Sequence, residues 1–254
     1  MRGYLAFTKK EFIEQLRSYK WLIIFCVFFL FGMASPLLAK ITPDLLSGMK
    51  IEGMTIVIPE PTAMDAYAQF FKNTTQMGML VVLLVFGGML SNELSKGTLI
   101  NILAKGLSRP AVILSKYTAA VALWTVGYAL SAITCYGYTE YLFKAAALQN
   151  LLFSLFCLWL FGCFVLSLIL LSSTLTGGSF GGLILSAVIL VGLLMVNIFP
   201  KVEKFNPVTL ASKNVALLNN ASTPGDLMIT VWITLGLTIA AIICSILLFS
   251  KKKL

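Results

Sequence analysis

The chain has 254 residues, of which 59% are hydrophobic and 11% are charged, and its formal net charge is +9. A soluble domain carries about 25% charged residues, so this composition excludes a soluble globular fold and indicates an integral membrane protein. There is no histidine, which removes the commonest metal ligand and general base. The five cysteines lie in or beside apolar runs without zinc-type spacing, so we expect no metal site.

The amino-terminal segment, residues 1–20, has an amphipathic pattern. Its apolar residues recur at helical spacing, and most of its charged residues fall on another side; the apolar set is Leu5, Phe12, Ile13, Leu16 and Tyr19. The pattern predicts a helix lying in the membrane plane, and the alternative is a cytoplasmic extension of the first span. The apolar run that begins at Trp21 reaches spanning length, so we expect a retained span and not a cleaved signal.

Six apolar runs follow, each long enough to cross the hydrocarbon layer as a helix of about 20 residues. The runs are continuous rather than alternating, which favours helices over a β-barrel. The predicted fold is therefore an all-α polytopic membrane protein with six transmembrane helices. The predicted spans are residues 21–39, 74–91, 111–138, 151–173, 180–199 and 227–250.

Two long connecting segments, residues 40–73 and 200–226, are predicted to lie outside the cell. Pro59 and Pro61 argue against one continuous helix in the first, although residues 62–73 are expected to form a short helix leading into the second span. In the second, apolar residues between positions 210 and 218 indicate a short helix lying on the bundle.

The basic residues set the predicted orientation. If both termini are cytoplasmic, 12 of the 19 lysines and arginines face the cytoplasm, but only 3 of the 10 acidic residues do. The positive-inside rule therefore favours this orientation, and an even number of spans agrees with it. Lys116, near the cytoplasmic end of the third run, is expected to snorkel to that side.

Sites for chemistry are sparse. No ionisable residue lies deep in a predicted span, which argues against a proton-coupled carrier and an intramembrane hydrolase. The chain has no G-x-x-x-x-G-K-[ST] motif, so it has no P-loop for nucleotide. We expect no catalytic residues, no cofactor in this chain and no nucleic acid partner; energy for uphill transport must come from another subunit.

The polar stretch from Ser91 to Pro110 interrupts the apolar runs. Read as a helix over residues 97–108, it places Leu99, Leu103 and Leu107 on one face, with Lys105 on another. A polar turn and a docking element for a cytoplasmic partner both remain open on these grounds.

This stretch resembles the signature E-x-x-x-G-T-[LI]-x-x-[LI]-L…S-R-x-x-[IV]-x-x-x-K of ABC-2 type permeases, the membrane subunits of a class of ABC transporters. The matching positions are Glu93, Gly97, Thr98, Leu99, Ile102, Leu103, Ser108, Arg109 and Lys116. The topology is similar as well, because the family has an amphipathic elbow helix, six spans and a large last outside loop.

The resemblance implies a permease subunit without ATPase activity in a bacterial cytoplasmic membrane. Two permease copies, or one copy and a paralogue, would each dock a soluble ABC ATPase subunit that holds ATP and Mg. The segment from Glu93 to Arg109, Lys105 included, would then be the coupling helix and its flanks.

The substrate path would lie between permeases, with candidates at Thr75, Gln76, Asn197 and Phe199. Uncharged spans suggest an apolar or amphipathic substrate such as a peptide, drug or lipid. The alternatives are a self-contained carrier or channel, and an immunity or assembly factor without a transport cycle.

Overall fold

A computed structural model describes residues 2–48, 60–104, 106–144, 148–176, 178 and 180–252, and this part of the chain is mostly helical and contains no β-strand. The longer helices are α1 (Arg2–Arg17), α2 (Lys20–Gly48), α3 (Ala63–Asn73), α4 (Met79–Phe86), α7 (Arg109–Phe143), α8 (Leu151–Leu175), α9 (Gly181–Val196) and α13 (Pro224–Lys251). The shorter ones are α5 (Ser91–Ser95), α6 (Thr98–Ala104), α10 (Pro200–Glu203), α11 (Thr209–Ser212) and α12 (Asn214–Leu218). The all-α polytopic fold predicted from the sequence is confirmed.

Five helical stretches of the described chain are long and apolar enough to cross a membrane. They are Lys20–Pro43, Ala63–Ser95, Arg109–Phe143, Leu151–Leu175 and Pro224–Lys251. The predicted fifth span corresponds to α9, which has 16 residues and is shorter than these. At 1.5 Å per residue α9 is about 24 Å long, against a hydrocarbon core of about 30 Å.

Helix α9 nevertheless carries the chain from one end of the bundle to the other. Lys252, just after α13, bonds the carbonyl of Thr174 at the end of α8, so these two helices end together. The start of α8 meets the segment before α13 through Asn150, which bonds Asn220. The end of α8 therefore lies at the same end of the bundle as the start of α9. The count of six membrane spans stays a prediction, but six helical passes join the two ends.

The predicted outside segment 40–73 contains more helix than expected. Helix α2 continues past Pro36 and Pro43 to Gly48, and α3 occupies Ala63–Asn73. Thr62 and Asp65 start α3 with a capping box, since the Asp65 carboxylate accepts bonds from the backbone N–H and hydroxyl of Thr62. A proline removes one helical hydrogen bond and bends a helix without always ending it, so it is a weak boundary signal.

The second predicted span is not one regular helix. Between α3 and α4 a π-helical turn occupies Thr74–Gly78, and the chain turns again before α5. A Cβ at Gly78 would lie 3.2 Å from the ring of Phe28, so glycine permits α2 to pack closely at this turn. The segment 200–226 holds three short helices, α10 to α12, where the sequence predicted one short helix lying on the bundle.

The core is built around α8, most of which is buried. Gly162 lies against the indole of Trp124, where any Cβ would overlap the ring. The Trp124 indole donates to the carbonyl of Trp159 at 3.1 Å, and the Trp159 indole donates to the hydroxyl of Thr125 at 2.9 Å. These bonds satisfy both indole N–H groups and fix α7 against α8.

Candidate functional site

Charged side chains meet at one end of the bundle. This end carries α1, the segment of residues 91–110 and Lys252. The Lys116 ammonium of α7 lies 3.1 Å from a carboxylate oxygen of Glu11 in α1 and 2.9 Å from one of Glu93 in α5. The Lys116 side chain is 2% exposed, and the two carboxylates are 8% and 13% exposed. One buried cation therefore joins three helices that are far apart in the sequence.

Lys10 extends this cluster to the surface. Its ammonium lies 2.8 Å from Glu93, 2.6 Å from Glu14 and 3.2 Å from Glu11. Burial alone would lower the pKa of the Lys10 amine, but hydrogen bonds to Glu14 and Glu93 outweigh it and raise the pKa above its ordinary value. Lys10 therefore stays charged at physiological pH. We call Lys10, Glu11, Glu14, Glu93 and Lys116 the ion network.

Helix geometry places each member of the ion network. Phe7, Glu11 and Gln15 recur every four residues on α1, and all three are buried. The stripe turns one carboxylate toward α7, where Ser115 and Lys116 are buried in turn. Glu93 lies in the first turn of α5, where a carboxylate also suits the helix dipole.

The predicted apolar face of α1 points elsewhere. Leu5, Ile13 and Leu16 are exposed, on a side of the helix that the bundle leaves free. Helix α1 thus presents apolar side chains outward and a carboxylate inward. This arrangement suits a helix lying in the membrane surface against the spans.

The segment after Glu93 is a tight double turn. Gly97 and Gly106 have φ values of 65° and 89°, which glycine adopts without strain. Helix α6 lies between them, with Leu99 fully buried and Leu103 packed against the core. Leu99 and Leu103 of α6 therefore pack against the rest of this chain and are not open to a partner. The exposed residues of the segment include Asn92, Lys96, Thr98 and Ser108.

Arg109 is occupied within the chain. Its Nη1 donates to the carbonyls of Phe249, Ser250 and Lys252 at 2.7, 2.9 and 2.7 Å. Those carbonyls belong to the last turn of α13 and the residue after it, where a helix runs out of its own N–H donors; the Phe249 carbonyl also accepts from the Lys252 N–H at 3.4 Å. The start of α7 therefore caps the end of α13.

Comparison with known proteins identifies the family of this chain. A family model described as ABC-2 family transporter protein matches residues 5–254. The chain belongs to this family. It is also 23% identical over 163 residues to the uncharacterized transmembrane protein YxlG of Bacillus subtilis (strain 168). That alignment spans 63% of this chain and 63% of YxlG, so the chain covers less than two thirds of that relative.

The signature residues of this ABC-2 family protein separate into two groups. Glu93 and Arg109 make the internal contacts described above, and Leu99 is in the core. Thr98 is exposed and its hydroxyl donates to the carbonyl of Glu93 at 3.3 Å. Lys105 and the side chain of Ile102 lie outside the described part of the chain. The predicted docking set therefore includes residues that shape the segment as well as residues on its surface.

The four substrate-path candidates have different surroundings. Thr75 and Gln76 belong to the π-helical turn, where the Thr75 hydroxyl is buried without a hydrogen-bond partner among the described atoms. The Asn197 side-chain oxygen accepts a bond from Thr209 at 2.9 Å, and Phe199 is exposed. Their role in a path stays a prediction.

Sequence reasoning on this ABC-2 family protein missed Lys10, Glu11 and Glu14, and it expected Lys116 to snorkel to the cytoplasmic side. A signal for Glu11 was present, because it shares a helical stripe with Phe7 and Gln15. A carboxylate on a stripe that packs against protein requires a buried cation. Lys116 is such a cation, set seven residues into α7.

Proposed function

We propose that this chain is the permease subunit of an ABC transporter in a bacterial cytoplasmic membrane, with both termini in the cytoplasm. In this proposal a separate ABC ATPase docks on residues 92–110, and two permease copies, or one copy and a paralogue, form the complex. The substrate is apolar or amphipathic, such as a peptide, drug or lipid, and moves outward. ATP and Mg bind the ATPase, and this chain performs no catalysis.

The ion network is the observation that supports this function best. It ties the proposed docking segment to α1 and α7 through Lys116, Glu11 and Glu93, whose side chains are largely buried. Buried, paired charges resist separation, because removing one partner leaves the other without compensation. A force applied to α5 and α6 by a partner would therefore move α1 and α7 together with them.

The exposed residues of the segment supply the proposed contact. Asn92, Lys96 and Thr98 are polar, solvent-facing and adjacent to the ion network. Lys96 makes no ion pair among the described residues, so its charge is available to an acidic side chain of a partner.

The test is reconstitution of the chain with the ABC ATPase that copurifies with it. We expect amphipathic substrates to stimulate ATP hydrolysis, and we expect Lys96→Glu to reduce that stimulation about tenfold by placing a like charge in the contact. Lys9→Glu is the matched control, since Lys9 is an exposed lysine of α1 without an ion pair among the described residues.

Three results would contradict the proposal. Transport by the purified chain alone under an ion gradient would show a self-contained carrier. A phenotype supported by an ATPase that cannot hydrolyse ATP would show an immunity or assembly factor. Equal stimulation in the Lys96→Glu and wild-type complexes would remove Lys96 from the docking contact.

A further inference from the structure

A large cavity lies at the end of the bundle opposite the ion network. Its volume is about 810 Å³, and α7, α8 and Tyr67 of α3 form its walls. Ligand sites for drug-sized molecules occupy about 300–1,000 Å³ and are mostly apolar with a few polar groups. This cavity has that size and character, with Ile133 and Leu155 among its apolar lining residues.

One carboxylate belongs to the cavity lining. Ile133, Tyr136 and Glu140 line it from α7, at the spacing that places residues on one helical face. Glu140 is exposed, and the six ion pairs formed among the described residues do not include it. Within the described lining, Glu140 is the single charged residue, so the cavity carries a net negative charge.

The neighbouring lysine does not neutralise this charge in the structure. Lys144 follows Glu140 by four residues, but it ends α7 in a left-handed conformation with φ of 44°. The next three residues, 145–147, are alanines and bring no charge. The Glu140 carboxylate is thus open to a cation that is not part of the described chain.

The aromatic residues of the cavity suit the same ligand. Tyr67 and Tyr136 line the cavity, and aromatic rings attract organic cations within about 6 Å of the ring centroid. Close to the end of a predicted span, a cationic head reaches the membrane interface while an apolar body stays in the hydrocarbon region.

From these observations we propose that the cavity binds a cationic amphiphile, with the charged head at Glu140 and the apolar body between α7 and α8. Only the further step of naming this ligand a transported substrate rests on the proposed function. The binding itself requires no partner subunit.

The experiment measures binding to the purified full-length chain in nanodiscs without any ATPase. Rhodamine 6G is the cationic probe, and anilinonaphthalene sulfonate is the anionic probe, each followed by fluorescence titration. We expect saturable binding of the cation, and we expect Glu140→Gln to weaken it about tenfold, because the charge-assisted contact is lost. Glu60→Gln is the control, since Glu60 is an exposed acid that does not line the cavity.

A second variant tests the apolar part of the site. Ala132 lines the cavity, so Ala132→Trp should fill it and abolish binding of the cation while Glu140 is retained. Unchanged melting temperature and elution volume show that both variants are folded. Equal cation binding in wild type and Glu140→Gln, or binding of the anionic probe as tight as that of the cation, would overturn the proposal.

The outcome is separable from the proposed function. Binding of rhodamine 6G at Glu140, without stimulation of ATP hydrolysis by any substrate in the reconstituted complex, would uphold the cavity and reject the transport role. Substrate-stimulated hydrolysis with unaltered cation binding in Glu140→Gln would do the reverse.

Discussion

Lys116 shows how one side chain can hold several elements of a membrane protein together. Its ammonium is buried between Glu11 and Glu93, and both contacts are short. A buried ion pair often contributes little net stability compared with an apolar replacement of the whole pair. Loss of one member is different, because it leaves an unpaired charge away from water.

Lys116→Met is therefore expected to destabilise the fold by about 3 kcal/mol, since two glutamates lose their common partner. The measurement is the apparent melting temperature of the purified chain in detergent. Lys9→Met is the control and should change little, because Lys9 is exposed.

A triple variant, Glu11→Gln, Glu93→Gln and Lys116→Met, gives a sharper comparison. It removes all three charges and should recover part of the stability lost in Lys116→Met. A triple variant less stable than the single one would show that the ion network is not the source of the loss.

Residues of the ion network were only partly accessible to sequence reasoning. Glu93 is in a recognisable signature, and Lys116 closes the same pattern. Glu11 could be identified only from the face of α1 that packs against protein. The sequence pattern does not show which face that is, because the apolar face of α1 is the exposed one. Hydropathy cannot separate a face that meets lipid from a face that meets another helix.

At the scale of elements, Arg109 links the start of α7 to the end of α13. Three carbonyl oxygens share its Nη1, so the last turn of α13 depends on a residue 140 positions earlier than Phe249. This contact gives Arg109 a structural role that competes with the docking role implied by the family signature.

Arg109→Ala is expected to speed amide exchange in the last turn of α13 about tenfold, because charge-assisted bonds to three carbonyls disappear. Hydrogen–deuterium exchange of the purified chain measures it. Arg17→Ala, at the exposed end of α1, is the control. Unchanged exchange in α13 together with loss of ATPase copurification would assign Arg109 to the partner contact instead.

Apolar runs predict most of the long helices well, since a membrane imposes continuous hydrophobic segments on a helical chain. They do not predict the π-helical turn at Thr74–Gly78, and they place α9 correctly but overestimate its length. The π-helical turn depends on hydrogen bonding inside one helix and on the close approach of Phe28 to Gly78, and neither affects mean hydropathy. Pro36 and Pro43 do not mark the end of a helix either, because α2 continues through both.

At the scale of the whole molecule, α1 and the end of α13 lie at the same end of the bundle. Helix α1 packs on α7 near Lys116, and the residue after α13 bonds the end of α8. Five long helices alone would leave α1 and the end of α13 at opposite ends, so this arrangement agrees with the prediction that α9 is a further pass. Membrane thinning or tilting of its neighbours would accommodate its length of about 24 Å.

Cysteine labelling tests the predicted orientation. In a background where the exposed Cys26 and Cys244 are serine, an impermeant maleimide should label Lys201→Cys in intact cells. It should label Lys9→Cys only after permeabilisation, because basic residues favour the cytoplasmic side. The opposite pattern would reverse the orientation, and labelling of both variants in intact cells would place Lys9 and Lys201 on the same side, which contradicts the predicted topology.

The pairing of Glu11 with Lys116 also has a consequence for biogenesis. Glu11 leaves the ribosome 105 residues before Lys116, and its carboxylate must stay hydrated until α7 has been inserted. During that interval α1 can lie on the membrane surface through its exposed apolar face, with Glu11 on the side away from the lipid. Synthesis of α7 then supplies Lys116, so the contact that joins α1 to the bundle cannot form until the third long apolar segment has been made.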